Sequence, residues 1–91
     1  MAIKKKEIMS DLLIFLKKGN PLIAKEKNLP NNKSLVELGL MDSFGVVEVV
    51  SYFEKKYGIT IQDNEITKKL FGSINKMVNL VHLKINKKRK N

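Results

Sequence analysis

The chain has 91 residues, 43% of them hydrophobic and 30% charged, with a formal net charge of +9. That describes one small folded domain, too short to build both a scaffold and a large catalytic cleft. No cysteine and a single histidine exclude a disulfide framework, a thiolate or multi-histidine metal site and a cysteine nucleophile.

The stretch Met1 to Lys6 is basic, but Glu7, Ser10 and Asp11 interrupt the apolar residues beyond it. A secretory signal is not expected, and the expected location is cytoplasmic. No apolar run is long enough to span a bilayer. Ile8, Met9, Leu12, Leu13 and Leu16 recur at helical spacing and predict a first helix. Lys17 and Lys18 suit its C-terminal dipole, and Gly19-Asn20-Pro21 stops it. From Gly19 to about Met41 the chain reads as a long loop, pinned by apolar anchors such as Leu22, Ile23, Leu35 and Leu40. Within it, Ser34-Leu35-Val36-Glu37 has the pattern of a capping box and predicts one short helical turn.

A second helix is predicted to begin at Asp42 or Ser43 and to end at Gly58. Its many valines favour a strand by propensity, but the apolar positions do not alternate. Asp63 or Asn64 is the expected cap of a short third helix through Ile66 to Leu70. Ser73 caps a last helix whose apolar positions are Ile74, Met77, Val78, Val81 and Ile85. The predicted fold is all-α: a small four-helix bundle with a long loop between helices 1 and 2 and a short third helix. Residues 1–86 form the expected domain, and residues 87–91 a basic, disordered tail.

The charge is unevenly placed. Residues 1–34 carry +5, residues 35–66 carry −4 and residues 67–91 carry +8. From Ser34 to Glu54 there is no Lys or Arg, while Glu37, Asp42, Glu48 and Glu54 lie in that stretch. Of the 18 basic residues, 17 are lysine. Lys, Asn and Ile all have A/T-rich codons, so base bias alone accounts for much of the excess. The competing functional reading is a basic helical module that binds nucleic acid or an anionic membrane surface. The run Lys4-Lys5-Lys6 and the C-terminal charge support it. The near absence of arginine, the preferred reader of bases and phosphates, argues against nucleic acid as the main function.

No catalytic set stands out. Ser43, His82 and Asp42 could be drawn as a triad, but no nucleophile elbow or oxyanion loop accompanies them. The glycines are isolated rather than gathered into a phosphate loop, and the carboxylates lack metal-loop spacing. The informative segment runs from Leu38 to Val50. Apolar residues Leu38 to Met41 are followed by Asp42, a helix cap, and then Ser43 at the first helical position. That hydroxyl is exposed and fixed beside an acidic cap and the positive helix end. With no base nearby, it suits modification by another protein rather than catalysis.

Here the chain resembles the acyl and peptidyl carrier proteins. The resemblance rests on Gly39-Leu40-Met41-Asp42-Ser43-Phe44 and on Phe53-Glu54-Lys55-Lys56-Tyr57-Gly58-Ile59. It extends to Asp63-Asn64-Glu65-Ile66-Thr67 and Phe71-Gly72-Ser73-Ile74, covering about Leu35 to Leu83. Asp42-Ser43-Phe44-Gly45 followed by Val47-Glu48 looks most like the D-alanyl and other aminoacyl carriers. Fatty-acid carriers commonly have an acidic residue where Gly45 stands.

The resemblance implies a carrier that performs no bond chemistry itself. It holds acyl or aminoacyl groups as thioesters on a 4'-phosphopantetheine arm attached to Ser43. The implied partners are a phosphopantetheinyl transferase and an adenylating ligase or acyltransferase, in fatty-acid or secondary-metabolite biosynthesis. Asp42, Phe44, Val47, Glu48 and Glu54 are the expected partner contacts, with the glutamates meeting Lys or Arg. The carrier is expected to be a monomer, with weak anionic-surface contact through its basic tail.

Overall fold

The fold begins with helix α1 (Lys5–Gly19), which turns Ile8, Leu12 and Leu16 inward. This computed structural model describes residues 3–90, without the side chains of residues 89 and 90. Asn20 ends α1 in an extended conformation and caps the next helix, α2 (Pro21–Lys25). Its Oδ1 accepts from the N–H groups of Leu22 and Ile23 at 3.0 and 3.2 Å. The sequence reading has only loop here. Asn-Pro stops one helix, but it also starts another, because Asn caps and Pro presets the first helical φ. The other end of the same amide, Nδ2, donates to the Leu40 carbonyl at 2.7 Å.

The second predicted helix is α3 (Ser43–Tyr57), capped by Asp42 and closed by Gly58 in the left-handed region at φ 64°. Val49, Val50 and Phe53 face the core. The helical period therefore overrides the strand propensity of the valines, since one apolar face must be buried. In the long loop, the predicted turn at Ser34 is present, with the Glu37 N–H donating to Ser34 Oγ at 3.2 Å. It does not become a helix. The Glu37 carboxylate pairs with Lys68 instead of completing the box.

The third predicted helix is corrected to two short pieces. Asp63–Glu65 is a single 3-10 turn, closed by a reciprocal box between Gln62 and Glu65. Helix α4 (Lys68–Phe71) then starts afresh, with Thr67 Oγ1 accepting from the Leu70 N–H at 3.1 Å. A threonine cap inside the predicted helix breaks it, because its side chain competes for the backbone. The last helix, α5 (Ile74–Lys90), starts as expected, with Ser73 Oγ accepting from the Lys76 N–H at 3.3 Å. It continues to Lys90, through most of the segment expected to be a disordered tail; Asn91 lies outside the described residues. Lysines are good helix formers and suit the negative helix end. Lys88 also donates to the Gly58 carbonyl.

All the described elements are helical. Helix α5 packs on α1 and α4, and α1 packs on α2. Fully buried Phe53 sits among them, edge-on to Phe71 with ring centroids 6.3 Å apart. The phenol of Tyr57 reaches Asp11 at 3.5 Å, and Lys56 lies 3.7 Å from the same carboxylate. Burial, with Tyr52 and Asp11 adding to it, pushes the Tyr57 phenol well up. The Asp11 ties join the C-terminal end of α3 to α1, and Lys88 joins the end of α5 to the Gly58 that closes α3. The start of α3 is left at the opposite end of the bundle.

These contacts are testable by unfolding. Asn20→Ala removes a cap and the Leu40 bond together, so urea unfolding should show a loss of about 1–2 kcal/mol with an unchanged m-value. Glu65 bonds to Lys84 at 2.7 Å and accepts from the Gln62 N–H at 2.8 Å. Both hold its carboxyl below the ordinary 4.5, the Lys84 bond most. A depressed carboxyl stabilises the fold above its unfolded pKa and loses that contribution as pH falls through the folded pKa. Stability measured from pH 7 down to 3 should therefore fall more steeply in wild type than in Glu65→Gln, with the difference opening below 4.5.

Candidate functional site

The site is built by the turn that precedes α3. Leu35 is buried, and its carbonyl accepts from the N–H groups of both Leu40 and Met41, at 2.9 and 3.2 Å. Gly39 reverses the chain at φ 76°, where a Cβ would be strained. With Asn20 holding the Leu40 carbonyl, the backbone is fixed on both sides just before Asp42. The apolar anchoring of Leu38 to Met41 is uneven: Met41 is buried, whereas Leu38 is exposed.

Asp42 caps α3 twice. Its carboxylate accepts from the Gly45 N–H at 2.9 Å, and its carbonyl accepts from the Val46 N–H at 3.1 Å. Such a cap contributes about 1 kcal/mol. Ser43 follows as the first residue of the helix and is exposed. Its side chain makes no hydrogen bond among the described residues. The N–H groups of Ser43 and Phe44 likewise lack a partner there, as the first turn of any helix dictates. The structure thus brings together a free hydroxyl, two free donors and the positive end of α3.

The other expected site residues divide. Phe44 is 72% exposed and Val47 59%, and exposed Glu48 lies on the same face at helical spacing. Ile14, Leu22 and Leu83 elsewhere on the surface are also more than half exposed, but Phe44 is the most open of the large apolar side chains described, and Val47 adjoins it on the same helix face. Glu54 is not part of this face. It is half-buried, and its carboxylate accepts from the Ile61 N–H at 3.0 Å, holding the link after α3. His82 is half-buried on α5 beside Asn86, at 3.5 Å, and forms no set with Asp42 and Ser43. Among the described residues, no three acidic or histidine side chains gather to hold a metal. None of the described helices is long and apolar enough to cross a membrane.

A groove of about 280 Å³ runs between the Ser34–Met41 turn and α4, and reaches the start of α3 at Met41 and Val46, on either side of Ser43 in the chain. Leu35, Val46, Ile66, Phe71 and Met77 make its walls mostly apolar. These features fit a phosphodiester-linked chain. The free N–H groups and the helix end favour a phosphate, and the groove offers apolar contact to the chain beyond it.

Comparison with protein families agrees. The model of the phosphopantetheine attachment site matches residues 23–81, which span all of α3 and include Ser43. The chain belongs to this family. It is a non-catalytic carrier protein, and its cofactor is a covalent 4'-phosphopantetheine. As a carrier it is served by a phosphopantetheinyl transferase and by enzymes that load the arm. No curated protein matches the chain.

Sequence reasoning misses two residues that shape this carrier's site. It treats Asn20 only as part of a helix stop, although Asn before Pro is a cap signal. It reads Met41 only as the last of the apolar residues Leu38 to Met41, and no sequence signal separates it from Leu38 or Leu40.

Proposed function

We propose that Ser43 bears the arm, that Phe44, Val47 and Glu48 form the docking face for partner enzymes, and that the cargo is a small aminoacyl or acyl group. The observation that carries the first point is the exposed Ser43 hydroxyl, placed directly after the Asp42 cap and beside two free N–H groups. When bound, the arm supplies the thiol that this cysteine-free chain lacks. In the transfer, Ser43 Oγ forms a bond to the pantetheine phosphorus of coenzyme A. The bond from that phosphorus to the rest of the nucleotide breaks, and 3',5'-ADP leaves. The serine proton goes to a base of the transferase, since no base bonds to Ser43 here. Asp42 holds the helix start rigid, so the oxygen is presented at one place.

The aminoacyl reading is supported by Gly45 with Val47-Glu48, and by a core in which Val49, Val50 and Phe53 are closely filled. Valines are stiff at χ1 and adapt poorly to a long guest chain. The matching loading enzyme is an ATP-using adenylating ligase. The carrier domain takes in residues 1–86 and, because α5 runs on to Lys90 and Lys88 bonds to Gly58, the basic residues that follow them in that helix.

Incubation with a transferase and coenzyme A should add one phosphopantetheinyl mass to the wild type and none to Ser43→Ala. Equal modification of the alanine variant would reject the assignment. Glu48→Lys should slow loading by about 1 kcal/mol, or roughly fivefold, and leave unfolding unchanged, because a rim charge acts on encounter rather than on folding. Equal loading rates across a salt titration would exclude a docking role for Glu48.

A further inference from the structure

The first turn of α3 is flanked by two grooves. One is the groove of about 280 Å³ on the α4 side. The other, about 240 Å³, lies on the α1 side, where Leu16, Asn20, Gly45, Glu48 and Val49 line it. Met41 lines both, and no other described residue does. It is only 7% exposed, although the three residues after it are all open to solvent.

Its seat is made by Gly45. A Cβ at Gly45 would stand 2.8 Å from Met41 Cγ and 3.6 Å from Sδ, inside normal contact distance of the former. Gly45 occupies the first turn of α3, where alanine is the better helix former. The missing side chain is therefore what lets Met41 lie across the helix start. The backbone of Met41 cannot move away to relieve a clash, because its N–H bonds to the Leu35 carbonyl and Asn20 holds the preceding carbonyl. Any adjustment must come from the side chain. Methionine, unbranched and with three rotatable bonds, fills such an irregular gap well.

We propose that Met41, seated on Gly45, is the partition between the two grooves and thereby a determinant of cargo size. It stops a chain that has entered on the α4 side from continuing beneath α3 to the α1 side. This rests on Ser43 as the attachment point, since only a group tethered beside the partition meets it. A short group needs neither groove in full. A long one finds no continuous channel and stays outside the bundle. Removing the side chain joins the grooves, and adding a Cβ at Gly45 dislodges it.

The test compares wild type, Met41→Ala and Gly45→Ala, each carrying an acetyl or an octanoyl group on the arm, by amide and methyl NMR. In wild type, the Leu16 and Val49 amides should be the same with either cargo. In Met41→Ala, octanoyl but not acetyl should move them and raise the melting temperature. Gly45→Ala should shift the Met41 methyl and give a weaker form of the same response. Octanoyl shifts at Leu16 and Val49 in wild type as large as in Met41→Ala would overturn the partition, and so would their absence from Met41→Ala. A second measurement needs no arm. Benzene titrated into the unmodified chains should bind Met41→Ala about tenfold more tightly than wild type, moving Val46 and Val49 together. Equal binding would also overturn the proposal. Intact mass after the transferase reaction separates the two readings. No gain at Ser43 counts against the attachment site alone, while the benzene result still decides the partition.

Discussion

A single amide holds the functional end of this carrier in place. Asn20 Oδ1 caps α2, while its Nδ2 holds the Leu40 carbonyl 20 residues further along the chain. The segment between α2 and α3 has no long regular element of its own, and closing such a loop costs conformational entropy. Leu35 anchors it by burial, and the Leu35 carbonyl gathers the N–H groups of Leu40 and Met41. Without these ties, Asp42 would still be a good cap, but the point at which α3 begins would drift. A modification enzyme needs one hydroxyl in one orientation. For Ser43, proposed as that hydroxyl, the backbone placement is set in part by residues distant in sequence.

The long helices are legible in the sequence because their apolar residues repeat at the helical period and their ends carry strong local signals. Asp42 and Ser43 at one end of α3, and Gly58 at the other, are such signals. The illegible segments are those in which one residue serves two neighbours. Asn20 ends α1 and starts α2. Thr67 lies between a 3-10 turn and α4, yet the apolar pattern absorbs it into one helix. Propensity sums along a window cannot see a side chain that caps in the middle of it. Glu54 misleads for a related reason. An acid on a helix looks solvent-facing until the chain beyond Gly58 folds back and offers the Ile61 N–H. The serine is legible because its setting is local. The partition at Met41 is not, because it depends on which of several apolar loop residues is turned inward.

The charges complicate docking in a useful way. The chain as a whole carries +9, and α5 with its approach contributes most of it. The acidic stretch and the exposed Phe44, Val47 and Glu48 lie around the start of α3. A basic partner therefore feels repulsion from the whole molecule at long range and attraction only close to Glu48. Salt at physiological strength screens charges beyond roughly 8 Å. It removes the first effect more than the second.

On the proposed docking reading, that leaves Phe44 and Val47 to supply most of the contact once encounter is made. Phe44 at 72% exposure and Val47 at 59% leave adjoining apolar surface in water on one face of α3. The adjacent Val46 and Val49 are turned inward, so the open face is not the result of a helix lacking a core to pack on. The same helix start thus combines three demands: a capped and rigid hydroxyl, an apolar face left open, and a glycine that makes room for Met41. The first is met by Asp42 at no cost to the fold. The other two cost stability, through exposed apolar area and a poor helix former, and the tightly filled end around Phe53 offsets them. Both of these costs fall at the start of α3, at the far end of that helix from the Tyr57–Asp11 and Lys88–Gly58 contacts.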